Sequence, residues 1–131
     1  MPDLFPNGVF TIPEVSCVGL DERAAAEQGI DAVSGSAGYH HSVRSAMLGD
    51  ETGMVKLVVE RTTGRLLGAT LVGAQATELI HYAAAVIHYG GTVMELTRFV
   101  FNLPSLSVLY KQAAYDVLHR MRTGDHNEMV D

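Results

Sequence analysis

The chain has 131 residues, of which 47% are hydrophobic, and this predicts one globular domain over residues 1–131 that is small for an enzyme with several substrates. Its formal net charge of −6 and its lack of a basic patch argue against a nucleic-acid partner. Because no apolar run reaches the roughly 18–20 residues of a membrane span and the N-terminus lacks a signal-peptide pattern, we expect a cytoplasmic protein without a membrane partner.

The chain begins with extended structure. Residues 1–7 contain two of the four prolines and predict an extended lead-in. Residues 9–12 and 14–19 have the composition of strands, and Pro13 between them indicates a sheet edge or a bend, since proline cannot donate to a strand ladder. The single cysteine, Cys17, has no basic neighbour in sequence and is expected to be a small buried residue.

A short helix and a weakly patterned stretch follow. Asp21 is the expected N-cap of a helix over residues 22–28, and Gly29 is its expected end. The alanines of this helix are too small to build a core, so the helix should lie over a sheet. Residues 32–34 and 39–47 have weak strand signals, and glycines between them leave the register open.

A β-hairpin is the clearest local pattern. Residues 54–60 and 65–72 are strand-like and flank a turn whose Gly64 can adopt a positive φ. Val55, Leu57 and Val59 alternate with Lys56, Val58 and Glu60. One face of this strand should therefore be buried and the other partly wet.

Helical patterns fill the rest of the chain. Residues 77–89 are apolar on nearly all sides, which predicts a buried helix. Thr92 and Glu95 fit a capping box that starts a short helix to about residue 99. Strands first and helices last predict an α+β fold, with an antiparallel sheet and helices segregated to one face.

The segment 98–110 leads into the last helix. Pro104 breaks any preceding helix, and Ser105 is the expected N-cap of a helix from residue 106 to about residue 122. This helix has apolar residues on several sides, more than a small domain can readily bury. We therefore predict that the segment contacts another polypeptide, and that residues 123–131 form a frayed tail.

The polar residues give one alternative function. Glu78 with His81, and Asp116 with His119, each place a carboxylate and an imidazole one helical turn apart, a spacing that di-iron helix bundles use. A metal-binding helical protein is therefore kept as an alternative, although a second inward carboxylate pair is missing. The sequence contains no nucleophile elbow, phosphate loop or dinucleotide-binding turn.

Five ordered motifs support a family resemblance. They are residues 10–19 (FTIPEVSCVG), 53–57 (GMVKL), 64–68 (GRLLG), 76–80 (ATELI) and 104–107 (PSLS). Together they resemble the C-terminal dimerisation domain of the pyridine nucleotide-disulfide oxidoreductases, over roughly residues 5–122. Within the family, residues 78–81 and 101–104 look most like the soluble pyridine nucleotide transhydrogenases, which have Phe-Asn-Tyr-Pro at the second motif.

The resemblance implies a lost catalytic pair. Disulfide reductases of the family have His-Pro-Thr-x-x-Glu at this point, where the histidine is the acid–base catalyst for the partner subunit's dithiol and the glutamate orients it. In this chain Leu103 occupies the histidine position and Val108 the glutamate position. Neither side chain can carry a proton, so no catalytic residue is expected here.

The resemblance also implies partners and cofactors. The family's FAD-binding and NAD(P)-binding domains have no counterpart in this sequence, so we expect the isolated chain to hold neither cofactor, nor a metal, and to form a homodimer. The residues expected at the dimer interface are Phe99, Phe101, Leu103, Pro104, Leu106, Leu109, Tyr110 and Ala113. The other hypothesis is a full-length transhydrogenase-like flavoenzyme, in which Phe101, Asn102 and Leu103 complete the partner subunit's flavin pocket.

Overall fold

Five strands form one antiparallel sheet in the order β1-β2-β5-β4-β3. The computed structural model describes residues 4–124. The strands are β1 (Asn7–Val9), β2 (Val15–Gly19), β3 (Ala32–Gly38), β4 (Gly53–Glu60) and β5 (Leu66–Gly73). The helices are α1 (Glu22–Glu27), α2 (Val43–Leu48), α3 (Ala76–His88), α4 (Val93–Arg98) and α5 (Val108–Thr123). The predicted α+β fold with an antiparallel sheet is confirmed.

The predicted hairpin is the centre of the sheet. Strands β4 and β5 pair antiparallel, and Gly64 in their turn has a φ of 76°, a conformation that only glycine adopts at little cost. The side chains of Val55, Leu57 and Val59 are fully buried, as the alternation predicts. They form the floor of the main core.

Helices α3, α4 and α5 cover one face of the sheet and build the main hydrophobic core with it. Helix α1 covers the opposite face. There Ala25 packs with Val58 and Leu67 in a second, smaller cluster. The predicted placement over a sheet is thus confirmed for α1, but this helix lies on the face that the other three leave open.

Local capping follows the sequence closely. The Asp21 carboxylate accepts a 2.7 Å hydrogen bond from the Ala24 amide and starts α1. The capping box of α4 is present, with Glu95 accepting a hydrogen bond from the Thr92 amide and Thr92 from the Met94 amide. Both helices therefore begin where residue chemistry alone predicts.

The stretch after β3 was predicted as a strand and is not one. Residues 39–47 form a 3₁₀ turn and most of α2. The Tyr39 side chain turns inward, is fully buried, and donates a 2.7 Å hydrogen bond to the Ala74 carbonyl. This long-range contact takes the chain out of the sheet, and no local pattern encodes it.

The N-terminal strands also differ from the prediction. Strand β1 begins at Asn7, inside the predicted lead-in, and ends at Val9, so residues 10–12 are not a strand. Cys17 was predicted to be buried and is exposed, because Ser16 and Val18 are the residues of β2 that face the core.

Two further points concern the ends of the chain and its helices. Most of the predicted tail, residues 125–131, lies outside the described residues. Within residues 4–124, no helix is long and apolar enough to cross a membrane.

Candidate interaction site

The last helix begins later than predicted. Helix α5 starts at Val108, and residues 106 and 107 form a turn before it. The Ser105 hydroxyl accepts a 3.0 Å hydrogen bond from the Ser107 amide, which is the capping bond that the sequence predicts. The regular helix nevertheless begins two residues later than predicted, with Ser107 at its N-cap position and without a capping bond from the Ser107 side chain.

Four of the eight predicted interface residues lie inside the chain's own core. Leu109, Tyr110 and Ala113 are fully buried, and Leu106 is 5% exposed. They pack against the sheet and the other helices within one molecule. The prediction that they offer surface to a second chain is wrong, because α3, α4 and the sheet together cover the apolar sides of α5.

An aromatic cluster holds the segment before α5 in place. The ring of Phe101 makes edge contacts with Tyr82 at 5.7 Å and with Phe99 at 6.0 Å between centroids. Tyr82 also contacts the ring of Tyr110 edge-on, at 5.6 Å. Such edge-to-face pairs add to the stability that burial gives. Phe101 is therefore a fixed, half-buried wall rather than a loose surface residue.

Buried hydroxyl groups tie the cluster to α3. Tyr110 donates a 2.6 Å hydrogen bond to the Leu79 carbonyl, and burial raises the pKa of its hydroxyl well above the ordinary value. Burial likewise raises the pKa of Tyr39 to about 12. Both tyrosines consequently stay protonated and act as donors at neutral pH.

A groove runs between α3 and the segment after α4, with a volume of about 830 Å³. We call it the α3 groove. One wall consists of exposed α3 residues, and the other consists of the segment from Phe99 to Asn102 with Ser105 and Ser107. The α3 residues that line it include Glu78, His81, Tyr82 and Ala85.

The sequence predicts that helix α3 is buried on nearly all sides, and the structure shows that one of its sides is exposed. His81, Tyr82 and Ala85 are exposed, and Tyr82 has 40% of its surface accessible. Sequence reasoning missed this face because alanine and tyrosine contribute to an apolar pattern whether they are covered or not. The polar residues Glu78 and His81, one turn apart, were the signal that could have indicated it.

The residues predicted to touch a partner's flavin lie at the rim of the groove. Asn102 is exposed, and Leu103 is 79% exposed, beside the half-buried Phe101. At the two positions where the resemblance places the family's acid–base pair, Leu103 is aliphatic and exposed and Val108 is half-buried. This rim offers apolar and amide contacts but no group that can transfer a proton.

The alternative metal site finds no support in the structure. Asp116 accepts hydrogen bonds from the Ser36 amide, at 2.9 Å, and from Arg120 Nε, at 3.2 Å, and both contacts occupy the same carboxylate oxygen. Within residues 4–124, no three His, Cys, Asp or Glu side chains come together to hold a metal ion.

Comparisons with known proteins agree on one family. Residues 5–114 match the model for the dimerisation domain of pyridine nucleotide-disulphide oxidoreductases. The chain is 42% identical over 120 residues to the soluble pyridine nucleotide transhydrogenase of Mycobacterium bovis, covering 92% of this chain and 26% of that protein. It is 34% identical over 119 residues to the protein of the same name from Pseudomonas putida, covering 88% of this chain and 26% of that protein.

Solved structures of similar shape come from longer chains as well. LpdA from Mycobacterium tuberculosis has a TM-score of 0.79 and 30% identity, over 85% of this chain and 24% of that one. The HOCl-induced flavoprotein disulfide reductase RclA from Escherichia coli has a TM-score of 0.81 and 28% identity, over 86% of this chain and 26% of that one. The chain thus spans about a quarter of the length of the relatives that it matches.

Proposed function

The chain belongs to the pyridine nucleotide-disulphide oxidoreductase family, as its dimerisation domain, and we propose that it pairs with a second copy of itself through the α3 groove. The single observation that supports this surface is the apolar exposure around it. Val100 is 95% exposed, Leu103 79% and Tyr82 40%. Apolar surface that is contiguous and rimmed by polar residues is typical of interaction sites.

The geometry of α3 suits a symmetric contact. In an isologous pair the same patch of each copy meets its counterpart across a two-fold axis. The small side chain of Ala85 allows close approach of a second helix, while Tyr82 offers a large ring held from behind by Phe101 and Tyr110. Of the interface residues expected from the sequence, Phe99, Phe101, Leu103 and Pro104 remain in this proposal, because each keeps exposed surface. Phe99 and Phe101 line the wall of the groove opposite α3, and Leu103 and Pro104 follow that wall in the chain.

Sedimentation equilibrium on a matched pair of variants tests the surface. Ala85→Arg introduces a charge into the proposed contact, whereas Ala26→Arg places the same charge on the exposed side of α1. We expect the wild-type chain to be dimeric at micromolar concentration and Ala85→Arg to raise the dimer dissociation constant at least about thirtyfold, because an unpaired charge buried at an interface is costly. Ala26→Arg should behave like the wild type.

Two outcomes would contradict the proposal. A wild-type chain that stays monomeric at micromolar concentration contradicts self-association of the isolated chain. If the Ala85→Arg and Ala26→Arg variants form equally stable dimers, the contact lies elsewhere on the molecule. Circular dichroism of each variant shows whether the fold is kept.

A second candidate function concerns the flavin pocket of a longer enzyme. Two observations favour it: the relatives are about four times as long as the matched region, and Asn102 and Leu103 are exposed beside the groove. In this reading the domain meets the FAD- and NAD(P)-binding parts of a cytoplasmic transhydrogenase-like flavoprotein, and Phe101, Asn102 and Leu103 complete its partner subunit's flavin pocket. The isolated chain would bind neither FAD nor NAD(P).

A chimera tests the second candidate. Residues 5–122 of this chain would replace the matching region of the Mycobacterium bovis transhydrogenase. We expect the chimera to retain bound FAD and nicotinamide-dependent activity, and Asn102→Ala to weaken FAD retention, while Asn7→Ala on the edge strand β1 leaves it unchanged. A chimera that folds as a dimer and binds FAD equally well with Asn102→Ala would contradict the role of this residue.

The proposal excludes dithiol acid–base chemistry for this domain. Leu103 and Val108 stand where the resemblance places the histidine and glutamate, and neither has an ionisable group. Leu103→His alone should therefore not supply an oriented acid–base pair in the chimera, because Val108 leaves the new imidazole without an orienting carboxylate.

A further inference from the structure

A small polar pocket lies beside the α3 groove, where α2 meets the turn before α5. Its volume is about 180 Å³. Its polar lining consists of Arg44, Gln75, Asn102, Ser105 and Ser107, and Leu79, Pro104 and Leu106 complete it. We call it the Arg44 pocket.

Arg44 is a partly buried cation without a counter-ion in the described part of the chain. Among residues 4–124, no ion pair or hydrogen bond involves its guanidinium. Three other partly buried cations are each paired with a carboxylate, whereas the partly buried Lys111, like Arg44, has no ion pair within residues 4–124. The pairs are Lys56 with Glu22, Arg61 with Asp31, and Arg120 with Asp116. A guanidinium that loses part of its hydration without a partner is a ready site for a bound anion.

The rest of the lining favours an anion as well. No carboxylate lines the Arg44 pocket, since Glu78 lines only the adjoining α3 groove. The Gln75 and Asn102 amides and the Ser105 hydroxyl can donate hydrogen bonds, whereas the Ser107 hydroxyl already donates one to Tyr82 Oη over 3.2 Å. Gln75 has a left-handed backbone with a φ of 61°, a strained conformation that often marks binding sites when it occurs in a residue other than glycine.

The start of α5 adds a second favourable feature. Ser105 and Ser107 lie at the N-terminal end of this 16-residue helix, and the Ser107 side chain makes no capping hydrogen bond. The Ser107 amide already donates to the Ser105 hydroxyl, so the contribution of this helix end is its dipole, which favours negative charge. This contribution is independent of Arg44, which comes from a different element.

The volume limits what can bind. The pocket is smaller than the roughly 300 Å³ at which sites for drug-sized ligands begin, so it has room for one small charged group and not for a nucleotide. We propose that the Arg44 pocket binds a small oxyanion, a phosphate or carboxylate group, with Arg44 as its main charged contact. Planar carboxylates and tetrahedral phosphates both match the guanidinium fork.

Titration of the full chain by amide NMR tests the site with defined probes. Inorganic phosphate and, separately, acetate are added at constant ionic strength, with sodium chloride as the reference salt. We expect saturable shifts of the Asn102, Ser105 and Ser107 amides with one dissociation constant. Arg44→Gln should weaken binding at least about tenfold, because hydrogen bonds to a charged group contribute most of the affinity.

Arg65→Gln is the matched control. Arg65 is exposed, makes no side-chain ion pair within the described residues, and lies at the turn end of the hairpin. Tighter binding of phosphate than of acetate identifies a phosphate site, and the reverse order identifies a carboxylate site; either result supports the proposal. Shifts that do not saturate with either probe overturn it, as does equal binding by wild type and Arg44→Gln.

Discussion

At the scale of single residues, the closest contact between β3 and α5 depends on a missing side chain. A Cβ atom on Gly35 would lie 2.5 Å from the Val117 backbone nitrogen and 2.7 Å from Val117 Cγ2. Both distances are far below ordinary van der Waals contact. Gly35 therefore allows α5 to pack directly on the sheet, and the sequence alone had suggested only an uncertain register there.

Gly35→Ala should lower the free energy of unfolding by about 1–3 kcal/mol, the usual cost of overpacking a core. The strain falls on helix backbone, which cannot rotate away as a side chain can. Urea unfolding followed by circular dichroism measures the change. Gly8→Ala is the control, because its nearest neighbour would be a Thr77 methyl group at 3.0 Å. If Gly35→Ala costs no more than Gly8→Ala, the close packing is not rigid.

At the scale of elements, a buried hydrogen bond joins α5 to α3, the helix that forms one wall of the α3 groove. The Tyr110 hydroxyl of α5 donates to the Leu79 carbonyl of α3 over 2.6 Å, in a fully buried position. The same ring contacts Tyr82. The shape of the α3 groove thus depends on a contact between residues that are far apart in sequence.

Tyr110→Phe should lower the free energy of unfolding by about 1 kcal/mol, since it removes a buried donor and keeps the ring. Chemical denaturation provides the measurement, and Tyr115→Phe is the control because Tyr115 is exposed on the same helix. An equal effect of the two substitutions would mean that the Tyr110 hydroxyl adds nothing to the packing of α5 on α3.

At the scale of the whole molecule, two carboxylates connect folding to pH. The side-chain hydrogen bond from Thr77 lowers the pKa of Glu14 below its ordinary value of 4.5. The equivalent bond from Thr92 lowers the pKa of Glu95. Between the lowered pKa values of the folded chain and the ordinary value of 4.5, the unfolded chain therefore binds more protons than the folded chain. The free energy of unfolding rises with pH over that range.

The stabilisation from these two groups should be complete above pH 4.5 and be lost as the pH falls through their lower folded-state pKa values. We expect the double substitution Glu14→Gln and Glu95→Gln to reduce the free energy of unfolding at pH 7. It should also make the decrease in that free energy less steep as the pH is lowered below about 5. Thermal unfolding over a pH series tests this. Glu51→Gln, at an exposed position, should leave the slope unchanged, and a double variant with the wild-type slope would contradict the assignment.

Much of the fold could be predicted because its causes are local. The β4–β5 hairpin follows from alternation and a turn glycine, and the starts of α1 and α4 follow from capping side chains. Where distant contacts decide, prediction from sequence was wrong. Residues 39–47 form a 3₁₀ turn and most of α2, and the hydrogen bond from Tyr39 to the Ala74 carbonyl holds them out of the sheet.

The sequence by itself determined the chemistry of the candidate site, because residue identity alone excludes a proton carrier at Leu103 and Val108. It also indicated a contact surface in the segment 98–110. Only the tertiary structure decided which apolar residues stay available for that contact: Tyr110 is fully buried in the core, while Tyr82 keeps an exposed face. The physical reason is that the hydrophobic effect favours covering apolar surface without specifying whether the same chain or a second one covers it.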